Sequence, residues 1–287
     1  MKSAKRAPQD QDRSIEAVQE ITIVTRTLST HATFMAMSHG RHLDVSFNNH
    51  SLAVCTLATI IGQALGHDLM KLHELATGAL LHDIGLLQLP SHLFRTSTPL
   101  FGEDLAAFHH HPRLGAIAIE AHHDFPQTVR QIADEHHVTP DGQGYPAETS
   151  AGSTAEASRI VMIADRYDEL LTGFGRLRPL PSHTAIQQLF QEGEFGRLDL
   201  HLVTFFIKLV GIYPIYSFVK LNTKERGMIT TINPATLHQP IVALTYDETD
   251  RPYRNPFTID LSKQNQPPLR FIDRVVTSEV ANASRAA

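Results

Sequence analysis

The sequence predicts a mainly α-helical bundle followed by a small C-terminal antiparallel β appendage. Three observations carry that expectation. Apolar residues recur at helical spacing through most of the chain, as in Val54, Leu57, Ile61 and Leu65. From Ile212 the pattern changes to short β-rich runs separated by Asn, Lys, Glu, Pro and Asp. Within the helical regime, histidines and aspartates end or flank the apolar stripes instead of lying on polar faces. The expected organisation is a disordered tail over 1–14, a helical domain over 15–215, a β appendage over 216–262 and a polar C-terminal tail over 263–287.

Composition excludes several classes. The 287 residues are 42% hydrophobic and 19% charged, ordinary for a globular protein. A formal net charge of -5 argues against a binder of nucleic-acid polymers or anionic membranes. No apolar run reaches the ~18 residues of a membrane span, and the first twenty residues are too polar for a signal peptide. Cys55 is the single cysteine, which leaves no disulfide framework or thiolate cluster. These features point to the cytoplasm. The anomaly is 18 histidines, the residue type that most often ligates metals.

In chain order, a helix is expected from about Ile15 to Met37. A turn region follows, with His39 and His42 read as solvated. His50 opens the next helix, on the stripe of Val54, Leu57, Ile61 and Leu65, with Gly66 as a left-handed cap. His50 therefore faces the core, as a ligand or as a core histidine bonded to a backbone carbonyl. A helix over about Asp68–Ile84, capped by Gly85, buries Leu72, Leu75, Ala76, Ala79 and Leu80 and turns His82 and Asp83 inward. A buried carboxylate costs several kcal/mol unless it is paired or bound to a metal.

Leu87–Pro90 reads as an extended connector. Glu103 and Asp104 suit a helix N-terminus, and Pro112 ends that helix or starts another. His111 sits at the joint and is placed to turn inward, whereas His109 and His110 read as exposed. His122 and His123 end the following helix. Over about Pro126–His137, Val129, Ile132, Ala133, His136 and His137 make one buried face. The loop after it, Pro140-Asp141-Gly142-Gln143-Gly144-Tyr145-Pro146, has the glycines and prolines of a shaped binding loop.

Asp165 follows five consecutive apolar residues of a buried helix and needs a cation beside it. Asp168, three residues on, is read as exposed in preference to supporting. Arg176 and Arg178 lie in the loop 172–183, either as phosphate contacts or as solvated arginines. Helices at about 183–191 and 198–210 precede strands at Tyr216–Leu221, Gly227–Thr231, Ile241–Tyr246 and Phe257–Leu261. A metal centre, and from it an enzyme, is what these residues predict.

The ordered set His82-Asp83-Ile84-Gly85, His136-His137 and Asp141-Gly142-Gln143-Gly144-Tyr145-Pro146 resembles the signature of HD-GYP domains. His50, His111-Pro112, Ala164-Asp165 and Gly211-Ile212-Tyr213-Pro214 resemble further parts of it, over roughly residues 20–220. The resemblance implies an HD-type helical bundle that hydrolyses cyclic di-GMP to linear pGpG, GMP or both. It implies metal ligands at His50, His82, Asp83, His111, His136, His137 and Asp165. Asp83 and His82 would be the catalytic pair, with Asp83 bridging two divalent ions and a metal-bridging hydroxide as nucleophile. Imidazole and carboxylate ligands with no thiolate suit iron, manganese or zinc without choosing among them; the resemblance implies iron or manganese first, with zinc, nickel or magnesium as alternatives.

Arg176, Arg178, Tyr145 and Gly144 are the candidate substrate contacts. Tyr145 would line the mouth, stacking on guanine or touching another signalling protein through its loop; an oligomer is compatible with the sequence. Three positions depart from the resemblance. Leu86 replaces a frequent lysine, Val138 a usual glutamate, and Ser46 the glutamate of three-metal members, so two metals are expected. One alternative is a catalytically impaired module that binds cyclic di-GMP or a partner protein. Another is a phosphohydrolase acting on mononucleotides, against which the Gly144-Tyr145-Pro146 loop argues.

Overall fold

The computed structural model describes residues 47–93, 99–121, 125–146, 154–174 and 178–276. The expected helix at Ile15–Met37, His39, His42, Ser46, His122, His123 and Arg176 lie outside them. The apolar stripes fold as helices in the expected places. Helix α1 (Phe47–Ala64) buries Val54, Leu57, Ala58 and Ile61. It packs against α2 (Leu69–Leu81) and α6 (Glu156–Thr172). Gly66 has φ +83, the left-handed conformation required after α1. Asp68 caps α2 by accepting from the Lys71 amide at 2.9 Å, which satisfies one otherwise unpaired N–H.

Helix α2 stops sooner than the sequence suggests. His82 is its last cap, and a 3-10 turn over Ile84–Gln88 continues the chain where an extended connector is expected. Gly85 does not take a left-handed cap conformation. Its role is close approach: a Cβ there would fall on the His111 carbonyl and crowd the Gly115 amide. Gly85→Ala is therefore expected to cost about 2 kcal/mol through forced separation of backbones, read as a lower thermal midpoint. An unchanged midpoint would contradict this packing.

Helices α3 (Gly102–His109) and α4 (His111–Glu120) meet at the expected joint, with Pro112 in the first turn of α4, where its missing N–H costs nothing. Helix α5 (Gln127–Glu135) buries Val129, Ile132 and Ala133 and packs on α2 and α4. Glu135 ties it to α6, accepting from the Ala155 amide at 2.9 Å and the Ser158 hydroxyl at 2.7 Å. Helix α7 (Ser182–Glu194) packs on α6 and α8 (Leu200–Val210). The core so formed runs from Val54 through Ile160, Val161 and Tyr167 to Phe206. Among the described residues no helix is long and apolar enough to cross a membrane.

The C-terminal sheet is five-stranded and antiparallel, in the order β4-β3-β2-β1-β5. Its strands are β1 (Phe218–Leu221), β2 (Arg226–Thr231), β3 (Ile241–Tyr246), β4 (Pro252–Asp260) and β5 (Ile272–Val275). Two features correct the sequence reading. Strand β4 begins at Pro252, earlier than expected, because an edge strand tolerates Pro252 and Pro256. Strand β5 lies inside the segment read as a loose tail, pairing Val275 with Val219. Arg270 anchors that segment, donating to both carboxylate oxygens of the buried Glu225, which also accepts from the Tyr253 hydroxyl at 3.0 Å. Ile215 and Ile232 join the helical core, fixing the sheet against the bundle.

Candidate metal centre

Four element ends and one helix middle converge on a single interior point. His50 lies in the first turn of α1, His82 and Asp83 follow α2, His111 opens α4, His136 and His137 follow α5, and Asp165 lies within α6. All are buried except His137, which is half-buried. The positions follow from the stripes: a residue at the end of an apolar face points the way that face points.

Asp83 stands in the middle and faces two ways. Its Oδ1 lies 3.1 Å from His111 Nε2 and 3.5 Å from His136 Nε2. Its Oδ2 lies 3.6 Å from His82 Nε2 and 3.8 Å from His50 Nε2. Asp165 Oδ1 closes the second group, 3.1 Å from His50 Nε2 and 3.8 Å from His82 Nε2. Two groups result, Asp83–His111–His136–His137 and His50–His82–Asp83, within each of which the donor atoms lie within 4.8 Å of one another. They share the one carboxylate.

The imidazoles are oriented from behind. His82, His111 and His136 each place Nδ1 against a backbone carbonyl, of Ala79, Phe108 and Ala133, at 2.8, 2.8 and 2.9 Å. A carbonyl only accepts, so each Nδ1 carries a proton and each Nε2 is the nitrogen aimed inward, with a lone pair to give whenever the ring is neutral. His50 differs, donating from Nδ1 to Asp168 Oδ2 at 2.8 Å. This arrangement suits divalent cations on an independent ground. The Nε2 atom of His82 is buried with no hydrogen-bond partner among the described residues, that of His50 stands 3.1 Å from Asp165 Oδ1, and those of His111 and His136 face each other at 3.2 Å. Lone pairs so placed require a proton or a metal ion between them.

The electrostatics are those of a tightly knit cluster. Burial opposes ionisation of Asp83, but His82, His111 and His136 outweigh it and hold the carboxyl well below its usual range. Asp165 is likewise held low, against its burial, by His50 and His82. Burial pushes His82 down to about 4. For His50 burial is overcome by hydrogen bonds and charge from Asp165 and Asp168, which lift it to about 10. Burial and the neighbouring His136 hold His137 well below its ordinary value, while Asp83 and Asp165 outweigh burial to raise His136.

Around this point lie aromatic rings. Phe174 stacks on the His50 ring at 3.8 Å and 14°. Tyr145 stacks on His109 at 3.9 Å and 11° and lies 4.5 Å from the His137 ring. Gly144 is required beside it, since a Cβ would fall on the His137 carbonyl. Gly142 takes φ +72, and Asp141 accepts from the Thr139 hydroxyl at 2.6 Å and the Gln143 amide at 2.9 Å, which shapes the loop.

The structure corrects two expectations here. Asp168 is buried beneath His50, not exposed, because α6 turns the faces of residues three apart to the same side. His109 is half-buried under Tyr145, because the loop after α5 folds back over the end of α3. Arg178 is exposed on the segment after α6. Leu86 and Val138 are core residues, 1% and 3% exposed. Phe174 carries no signal in the sequence, since its partner is remote in the chain.

A family model described as HD domain matches residues 19–202. A cyclic di-GMP phosphodiesterase of Pseudomonas aeruginosa is 25% identical over 234 residues, covering 82% of this chain and 55% of that protein. Another from Vibrio cholerae is 30% identical over 133 residues, covering 44% of this chain and 27% of that protein. The chain thus spans about half or less of the length of these curated relatives. A solved HDGYP protein from Bdellovibrio bacteriovorus aligns with a TM-score of 0.49 at 24% identity, over 64% of this chain and 66% of that one.

Proposed function

This chain belongs to the HD domain family, and from that premise we propose that it is a metal-dependent phosphodiesterase hydrolysing cyclic di-GMP to linear pGpG, GMP or both. The observation that carries the reading is the shared Asp83 carboxylate, one oxygen turned to each of two ligand groups. The names of the Pseudomonas and Vibrio relatives support the substrate.

In this reading His50, His82, Asp83 and Asp165 hold one divalent ion, and Asp83, His111, His136 and His137 hold the other. Imidazole and carboxylate ligands without thiolate suit iron, manganese or zinc. Such a pair supplies an acidified water at neutral pH and positive charge against a phosphodiester. The chain's own residues do the rest. The backbone carbonyls behind His82, His111 and His136 fix the direction of each Nε2. Phe174 and Tyr145 cover flanks of the centre and limit water. Tyr145, on the loop fixed by Gly144, lines the entrance as a surface for guanine or for another signalling protein, and Arg178 with Arg176 is the candidate contact for the second phosphate.

Purified chain loaded with Mn2+ or Fe2+ is expected to bind about two ions and to convert cyclic di-GMP into linear product, followed by chromatography beside elemental analysis. Metal-replete protein that yields no product would overturn the catalytic reading. A second reading, a module that binds cyclic di-GMP without turnover, is favoured by Leu86 and Val138. Both are apolar and packed in the core, so neither offers a polar side-chain group to the metal centre. Binding with no product would select it. Leu86→Lys is not a clean rescue, because it would carry an ammonium into a buried position.

A further inference from the structure

We infer that the two halves of the centre are unequal, and that Asp168, acting through His50, makes the half built on His50, His82 and Asp165 bind its cation more tightly. The inference rests on the reading above that the centre holds divalent ions.

The difference lies behind the ligands. His82, His111 and His136 lean on neutral backbone carbonyls. His50 alone among these four leans on a carboxylate, Asp168 Oδ2, at 2.8 Å with both groups buried. A carboxylate behind an imidazole raises the basicity of the far nitrogen and holds the ring in one tautomer. Phe174 fixes the plane of the same ring by stacking on its face. Asp168 is itself held, because α6 is tied to α7 by Arg166, which grips both oxygens of Glu192 at 2.7–3.1 Å. Asp165 and Asp168 therefore reach His50 from one anchored helix, at Nε2 and at Nδ1.

Charge points the same way. The His50 half has Asp165, its share of Asp83, and Asp168 behind it. The His111 half has its share of Asp83 and three imidazoles, one of them the half-buried His137. Coulomb attraction for a dication is larger where more carboxylates surround it, and burial reduces screening.

Asp168 is thus a positioning residue. The test is calorimetric titration of the metal-stripped chain with Mn2+ alone. The native chain is expected to load in two steps, differing in affinity about 10-fold or more. Asp168→Asn is expected to weaken the tighter step about 10- to 100-fold and leave the weaker within about 3-fold. His137→Ala removes the weaker step and spares the tighter one. Should Asp168→Asn not fold, as judged by circular dichroism, Phe174→Leu carries the test. It loosens only the ring's face and is expected to weaken the tighter step about 3-fold. Equal affinities in the native chain overturn the inference, as does a tighter step that neither variant moves, or both steps weakened alike. Absence of any Mn2+ binding by the native chain would sink the functional reading as well.

Discussion

Asp83→Asn is expected to lower turnover of cyclic di-GMP on the order of 10^3-fold and to strip the chain of bound metal. The loss corresponds to about 4 kcal/mol of transition-state stabilisation. The size follows from geometry. Asp83 Oδ1 is 3.1 Å from His111 Nε2, and Oδ2 is 3.6 Å from His82 Nε2, so one carboxylate serves both ligand groups. Asparagine keeps the volume but offers one neutral oxygen, and its amide nitrogen is a donor aimed at nitrogen lone pairs. Asp165→Asn makes a smaller change, since Asp165 Oδ1 approaches only His50 and His82. Turnover and elemental content measured on both variants give the ordering. Native turnover and native metal content in Asp83→Asn would remove Asp83 from the centre of the scheme.

The convergence of these side chains is legible in the sequence because each finishes or interrupts an apolar stripe. His82-Asp83 after Leu75, Ala76 and Ala79, and His136 after Val129, Ile132 and Ala133, point where the buried faces point. The helices that carry them are equally legible, since period 3.6 marks both the element and its buried side.

The supporting layer is not. Asp168 shares the face of Asp165, three residues before it, but what covers that position comes from α1, which brings His50 from 118 residues away. His109 and Phe174 acquire meaning only from rings brought over them. Gly85 has the look of a helix cap, while its necessity comes from the His111 carbonyl on another helix. Strand β5 is hidden for the same reason, since what orders it is a Glu225–Arg270 contact spanning 45 residues. Local periodicity encodes which way a residue faces; what it faces is set by packing between distant segments.

The metal-free chain is expected to be most stable near pH 6.5 and to lose stability on either side. On the acid side, His82 is pushed down to about 4 by burial. Below about 6.5 an unfolded His82 takes up a proton that the folded one refuses, so stability falls as pH drops from 6.5 to 4, by about 3 kcal/mol. His137, also held low by burial, adds in the same direction. The depressed carboxyls of Asp83 and Asp165 contribute stability above about pH 3.9 that is lost only below it, so they do not set this limb. On the alkaline side, His50 is raised to about 10, against its burial, by Asp165 and Asp168. Its contribution is complete below 6.5 and disappears as pH rises to 10, on the order of 5 kcal/mol. A cation held by His50 would replace a proton on that ring, so saturating Mn2+ should lift the alkaline limb and move the maximum upward. It should also steepen the acid limb, where protons compete for the imidazoles. Thermal midpoints from pH 4 to pH 10, with chelator and with excess Mn2+, test both limbs. Superimposable curves, or a chelated maximum at pH 9, would mean that these imidazoles do not govern the stability of the fold.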